Sequence, residues 1–207
     1  MDTMEPRSAH LKDARLVILT DERSLVERVR AGDREALGAI FAGYAASLYS
    51  YAHRFTRSRP QAEELVHDVF VRVWEIRAQW RVESVGAYLH GAVRRRALNY
   101  LRHQATEDAW QRDHANALGG EPAVADSPED RVLAHDLAAA ATKALERLTP
   151  KCREAYVLHR QHHLSYAEIA TVLGVTPKTV EMQISRALKA LRALLAGYLA
   201  LVIVIGR

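Results

Sequence analysis

The 207-residue chain has one cysteine, six prolines and ten glycines. A single thiol cannot build a disulfide framework or a cysteine-only zinc site, so a reducing, cytoplasmic setting is the expectation. The few chain breakers and the absence of alternating polar and apolar stretches argue against a β-rich fold. No apolar run approaches the ~18 residues of a membrane span. The opening, MDTMEPRSAHLKD, is charged and has none of the apolar core of a secretory leader. There is no HExxH, no phosphate-binding glycine loop and no nucleophile elbow, so neither an enzyme nor a cofactor is expected. What remains is 49% hydrophobic and 26% charged, the composition of a globular chain with a core of its own. The expected class is all-α.

The formal net charge is small, +4, and unevenly placed. Residues 1–80 are net zero, 81–104 are +4, 105–136 are −6 and 137–207 are +6. Two basic segments separated by an acidic one suggest two polyanion-facing surfaces joined by a tether. Solvated helix faces are the plainer explanation of any one such run.

Helical periodicity organises most of the chain. After a loose tail over 1–20, a short amphipathic helix is expected over 24–30, ending at Ala31-Gly32. Asp33 then caps a helix with Leu37, Ile40, Phe41, Tyr44, Leu48, Tyr51 and Phe55 on one apolar face. Arg59-Pro60 interrupts. The next helix, from Ala62, carries Leu65, Val66, Val69, Phe70, Val73 and Trp74 as its buried stripe, with Glu64, Asp68 and Glu75 on another face. A third runs from 85 to about 103. Residues 105–130 hold Gly119-Gly120, Pro122 and Pro128 with little periodicity, which reads as a flexible acidic linker. Ser127-Pro128 restarts helix, and Thr149-Pro150 repeats the same device ahead of 151–162. The expected architecture is two small helical domains, 21–104 and 128–197, joined by the linker 105–127 and followed by an apolar tail, 198–207.

The most specific motif is LSYAEIATVLGVTPKTVEMQI, residues 164–184. Ser165 and Glu168 are spaced as a capping box, and Leu164 and Ile169 as a hydrophobic staple. Ala170 is small where two helices must approach, and Gly174 suits the left-handed position that ends the first helix. Thr176 caps the second helix with Pro177 at its first position. The pattern is a helix-turn-helix, whose second helix enters the DNA major groove. Thr176, Lys178, Thr179, Glu181, Met182, Gln183 and Arg186 are the expected DNA-facing positions. Glutamine pairs with adenine, glutamate accepts from cytosine, and lysine or arginine meets phosphate or guanine.

With this motif last, behind an acidic linker and a helical domain, the chain resembles a bacterial RNA polymerase sigma factor of the extracytoplasmic-function (ECF) subfamily. The resemblance covers about residues 20–195. It is carried by QAEELVHDVFVRVW (61–74), by Leu148-Thr149-Pro150, and by TVEMQISRALKALR (179–192). It implies a first domain, region 2, that binds core polymerase and the promoter −10 element, and a second, region 4, that reads the −35 element. Glu64, Asp68, Phe70 and Trp74 would dock on the clamp helices of the β′ subunit, with the β flap as a further contact. An acidic face beside apolar anchors suits a basic amphipathic partner. Phe70 and Trp74 are also natural core residues. Tyr88, Arg94, Arg95, Arg96, Asn99 and Arg102 would hold the downstream element as it melts, using cations and an aromatic surface. Here the chain departs from the family, whose usual Arg-Asn is Arg94-Arg95 in this sequence. A base-reading amide gives way to a phosphate-gripping charge. Three adjacent arginines point around a helix, so at most two can share one surface. The linker would imitate nucleic acid in the polymerase channel, or simply tether.

Two features lie outside this scheme. Cys152, His159 and His163, with His162 adjacent, share a helical face but are spaced too widely to chelate one ion, and no metal is expected. Residues 193–206 are uncharged and apolar, either a helix extension packing on the second domain or a surface for a partner such as an anti-sigma factor. The rival to the sigma reading is a free-standing helix-turn-helix regulator whose first domain dimerises or senses.

Overall fold

The computed structural model describes residues 22–114 and 147–205, and among these every regular element is helical. The tail 1–20, the linker beyond His114 and the helix expected from Ser127 as far as residue 146 lie outside the described residues. The chain divides into two compact units, Met1–Gln111 and Arg112–Arg207.

In the first unit, α1 (Glu22–Arg30) ends at Gly32, whose φ of 92° only glycine adopts without strain. Asp33 then caps α2 (Arg34–Thr56), its carboxylate accepting from the amides of Glu35 at 2.8 Å and Ala36 at 3.2 Å. Arg28 closes on the same carboxylate at 2.7 Å. The Ala36 amide, followed by the Arg28 side chain, holds the Asp33 carboxyl below the usual aspartate range. A depressed acid contributes stability above its unfolded pKa and loses it as pH falls through the folded one. Asp33→Ala should therefore lower the melting temperature at neutral pH, with the gap from wild type closing as the solution is acidified through the carboxylate range.

The core of this unit is set by α2 and α3 (Arg59–Glu75). The two helices pack on one another, with Ile40, Tyr44, Leu48 and Tyr51 of α2 and Val66, Val69, Phe70 and Val73 of α3 all buried. α3 begins three residues before the expected Ala62. Pro60 lies in its first turn, where a missing N–H costs nothing, so the proline opens the helix instead of interrupting the chain. A 3-10 turn, Arg77–Gln79, leads to α4 (Val85–His114), which buries Val85, Leu89, Val93 and Ala97. The Glu22 carboxylate ties α1, α2 and α4 together, accepting from the Tyr44 hydroxyl and, at 3.3 Å, from the Val85 amide. His90 is fully buried against Tyr51. Its Nδ1 lies 2.8 Å from the Gly86 carbonyl, which can only accept, so Nδ1 carries the proton and Nε2 faces the Ser47 hydroxyl at 3.2 Å.

α4 continues 11 residues past its expected end at 103, into the segment read as linker. Residues 104–114 contain neither glycine nor proline, and the first breaker pair is Gly119-Gly120. A helix can lack an apolar stripe and still be a helix.

The second unit is built on α5 (Pro150–Arg160), α6 (Tyr166–Leu173) and α7 (Pro177–Ile205), with α5 and α6 each packed on α7 and on one another. Thr149 caps α5, accepting from the Cys152 amide at 3.4 Å. Cys152 is buried in an apolar cluster with Leu148 and Ala187. α7 runs unbroken across 197–198, so the backbone of the apolar tail continues this helix as far as Ile205. Among the described residues, no helix is long and apolar enough to cross a membrane.

Candidate functional site

The helix-turn-helix is formed as its local chemistry dictates. Ser165 Oγ accepts from the Glu168 amide at 3.3 Å, and the Glu168 carboxylate accepts from the Ser165 amide at 2.7 Å, completing the capping box. Gly174 ends α6 at φ 67°, in the left-handed region. Thr176 Oγ1 then accepts from the Thr179 amide at 3.2 Å and starts α7. Behind the turn, Ile169 and Ala170 of α6 and Val180 and Ile184 of α7 are buried. Leu173 is half-buried, and Val172 takes the inner position.

In front, Thr176, Lys178, Thr179, Glu181, Met182 and Arg186 surround a shallow concavity at the start of α7. Met182 is 45% exposed, and Lys178 and Glu181 form an exposed ion pair at 2.9 Å. Ser185 joins this group and was missed in the sequence, although it follows Glu181 and Met182 at steps of four and three.

Gln183 does not belong to it. It is 8% exposed and sits inside the unit, three residues after Val180 and four before Ala187, both fully buried. Its polarity suggested the DNA face, whereas helical period assigns it to the core. Its Oε1 has no hydrogen-bond partner among the described residues. A buried unsatisfied acceptor is unfavourable, and an apolar isostere removes that cost. Gln183→Met should hold or raise the melting temperature, with a gain of up to about 1–2 kcal/mol, and should leave upstream-element affinity within twofold. A glutamine that read adenine would instead lose about 1–3 kcal/mol of base discrimination on this change.

The expected downstream-element residues divide along α4. Tyr88, Arg95, Asn99 and Arg102 recur at steps of seven, four and three, which places them on one stripe. Arg95, Asn99 and Arg102 are exposed; Tyr88 is half-buried, edge-on to Trp80 at 5.7 Å. Arg94 and Arg96 leave this stripe on either side and are half-buried. Arg96 turns toward α3, where its Nη1 meets the Asp68 carboxylate at 2.7 Å.

The expected polymerase-facing residues lie on α3. Glu64, Asp68 and Glu75 form a stripe with Val71, which is 44% exposed and was missed. Glu64 accepts from Gln61 at 3.0 Å. Phe70 is buried, in edge-to-face contact with Phe41 at 4.9 Å. Trp74 is half-buried, with the guanidinium groups of Arg77 at 4.5 Å and Arg34 at 5.7 Å from its ring centroid. Leu37, Phe41, Phe70, Val71 and Trp74 line an apolar groove between α2 and α3. Leu37 and Phe41, expected in the core, are only half-buried because α3 covers part of the apolar arc of α2.

The Cys152–His163 group is dispersed. Cys152 and His162 are buried; His159 and His163 are exposed, with His159 facing the Leu164 carbonyl at 3.0 Å and the Tyr166 ring at 5.1 Å.

Comparison with known proteins places these surfaces in a family. Residues 40–107 match the model of sigma-70 region 2, and residues 138–191 match that of sigma-70, region 4. The chain is 31% identical over 175 residues to the RNA polymerase sigma factor CarQ of Myxococcus xanthus, covering 82% of this chain and 95% of that one. It is 28% identical over 175 residues to the ECF RNA polymerase sigma-E factor of Haemophilus influenzae, covering 82% and 92%. Its fold is similar to that of CnrH, solved in complex with the cytosolic domain of CnrY, with a TM-score of 0.59 and 24% identity over 84% of this chain and 97% of that chain. The two matched regions, in their order and with a helix-turn-helix in the second, make the chain a member of the RNA polymerase sigma factors, in the ECF subfamily.

Proposed function

We propose that this sigma factor docks on core RNA polymerase through α3, holds the −10 element on the outer stripe of α4, and reads the −35 element with the start of α7. The carrying observation is the gathering of exposed Thr176, Lys178, Glu181, Met182 and Arg186, with half-buried Thr179, over a capped helix-turn-helix. A helix presented in this way places donors, acceptors and one thioether at base edges, with Arg186 a turn further on for phosphate or guanine.

On α4, Arg95 and Arg102 supply the cationic track that a single strand follows, and Tyr88 a ring for stacking. With Arg95 where the family pattern has asparagine, this stripe leans on phosphate contact more than on base reading. On α3, Glu64 and Val71 present charge and apolar area together, the combination that suits a basic amphipathic coiled coil. The groove floored by Phe41, Phe70 and Trp74 is the proposed seat of an anti-sigma helix, which would compete with polymerase for α3. The chain works as a cytoplasmic binding subunit, and phosphodiester chemistry stays with the polymerase.

The test is reconstitution. Core polymerase, the chain and host genomic DNA are mixed, and the 5′ ends of the transcripts are mapped. Start sites that share one pair of upstream and downstream elements, absent without the chain, are the expected result. Tight duplex binding by a dimer of the chain, with no new start sites, would instead establish the free-standing regulator.

A further inference from the structure

Two side chains with different expected partners are bound to each other. Asp68 belongs to the polymerase-facing stripe of α3, and Arg96 to the arginine run of α4. Arg96 Nη1 lies 2.7 Å from Asp68 Oδ2, and its Nη2 lies 3.4 Å from the Asp68 carbonyl oxygen. The Arg96 side chain is 37% exposed and that of Asp68 48%, so water still reaches both charges. An ion pair this open is weak and easily exchanged for another. Asp68 is one residue type that a basic partner would seek. Arg96 adjoins Arg95, at the edge of the stripe that faces DNA, and its long side chain can swing to that edge.

We infer that the Asp68–Arg96 pair is an exchange contact that couples polymerase docking to the grip on DNA. In the free chain, Asp68 holds Arg96 away from nucleic acid. When a basic group of the polymerase takes the carboxylate, Arg96 is released and adds a cation to the α4 stripe. The coupling is reciprocal, since phosphate that captures Arg96 frees Asp68 for the polymerase. This rests on the proposed roles of α3 and α4, and it makes Arg96 conditional where Arg95 and Arg102 are constitutive.

The experiment uses the full chain and a fluorescein-labelled single-stranded DNA 20-mer of mixed sequence, followed by anisotropy through a KCl series. Asp68→Asn should bind about 3–10-fold more tightly than wild type, with the salt slope steeper by ~0.7, the increment for one phosphate contact on a single strand. Asp68→Glu, which keeps a carboxylate for Arg96, should stay near wild type. Glu64→Gln removes the same charge from α3 without touching Arg96 and should gain less than twofold. In Arg96→Gln, adding Asp68→Asn should change nothing. Circular dichroism melts of every variant confirm the fold. The inference is overturned if Asp68→Asn shows no gain, if Glu64→Gln gains equally, or if the gain persists without Arg96. The reconstitution with wild-type chain reports separately on the sigma function, so the two can fail independently.

Discussion

Val71→Glu should weaken assembly with core polymerase by at least ~30-fold while leaving the chain folded. Val71 is 44% exposed at the centre of the α3 stripe, between Glu64 and Asp68 on one side and Glu75 on the other. It fills no core space, so its replacement opens no cavity, and surface changes of this kind alter stability by about 0.5 kcal/mol or less. At the middle of a docking face the same carboxylate must lose its water against apolar atoms with no partner to replace it. Central contacts of this type are worth at least ~2 kcal/mol, or roughly 30-fold in affinity. The measurement is competition for core polymerase against a labelled sigma factor, read beside a thermal melt. Ala46→Glu, on the exposed side of α2, is the control and should bind as wild type. Normal assembly by Val71→Glu would remove α3 from the docking surface.

Much of the second unit was legible because its signals are local. The Ser165–Glu168 box, the left-handed Gly174 and the Thr176–Pro177 start each act within one turn of chain, and each formed as its residue types require. Gln183 was misassigned because residue type was weighed above period: a polar side chain three residues from Val180 belongs to the inner face whatever its polarity. The end of α4 is hidden in the sequence for the complementary reason: residues 104–114 lack a clear apolar stripe, yet no glycine or proline among them breaks a helix.

What the sequence could not carry was pairing between distant elements. The α4 period already separates Arg95 from Arg94 and Arg96, so a shared DNA face for all three was excluded on geometry. That Arg96 meets Asp68, 28 residues earlier, depends on how α4 crosses α3. The groove between α2 and α3 is a similar case. Leu37 and Phe41 continue the apolar arc of α2, and only the packing shows that α3 leaves them partly open.

Ile184→Ala should unfold the helix-turn-helix and remove upstream-element recognition without removing polymerase docking. Ile184 is 1% exposed and lies in the stripe Val180, Ile184, Ala187 and Leu191 that faces the buried Ile169 and Ala170. Truncating a buried isoleucine costs about 2–5 kcal/mol through lost transfer energy and the cavity left behind. A domain with so small a core has only about 5 kcal/mol to lose, so the variant spends much of its time open. Hydrogen exchange should show protection lost across residues 165–190 and retained across residues 40–70. Binding to core polymerase should fall by less than fivefold, and start-site selection that depends on the upstream element should disappear. Arg186→Ala separates reading from folding. Arg186 is exposed, so its loss should weaken the upstream contact by about 1–3 kcal/mol with the exchange pattern unchanged. If Ile184→Ala kept full protection over α6 and α7, the packing of the helix-turn-helix would not be what presents Lys178, Met182 and Arg186. Those side chains would then need some other support.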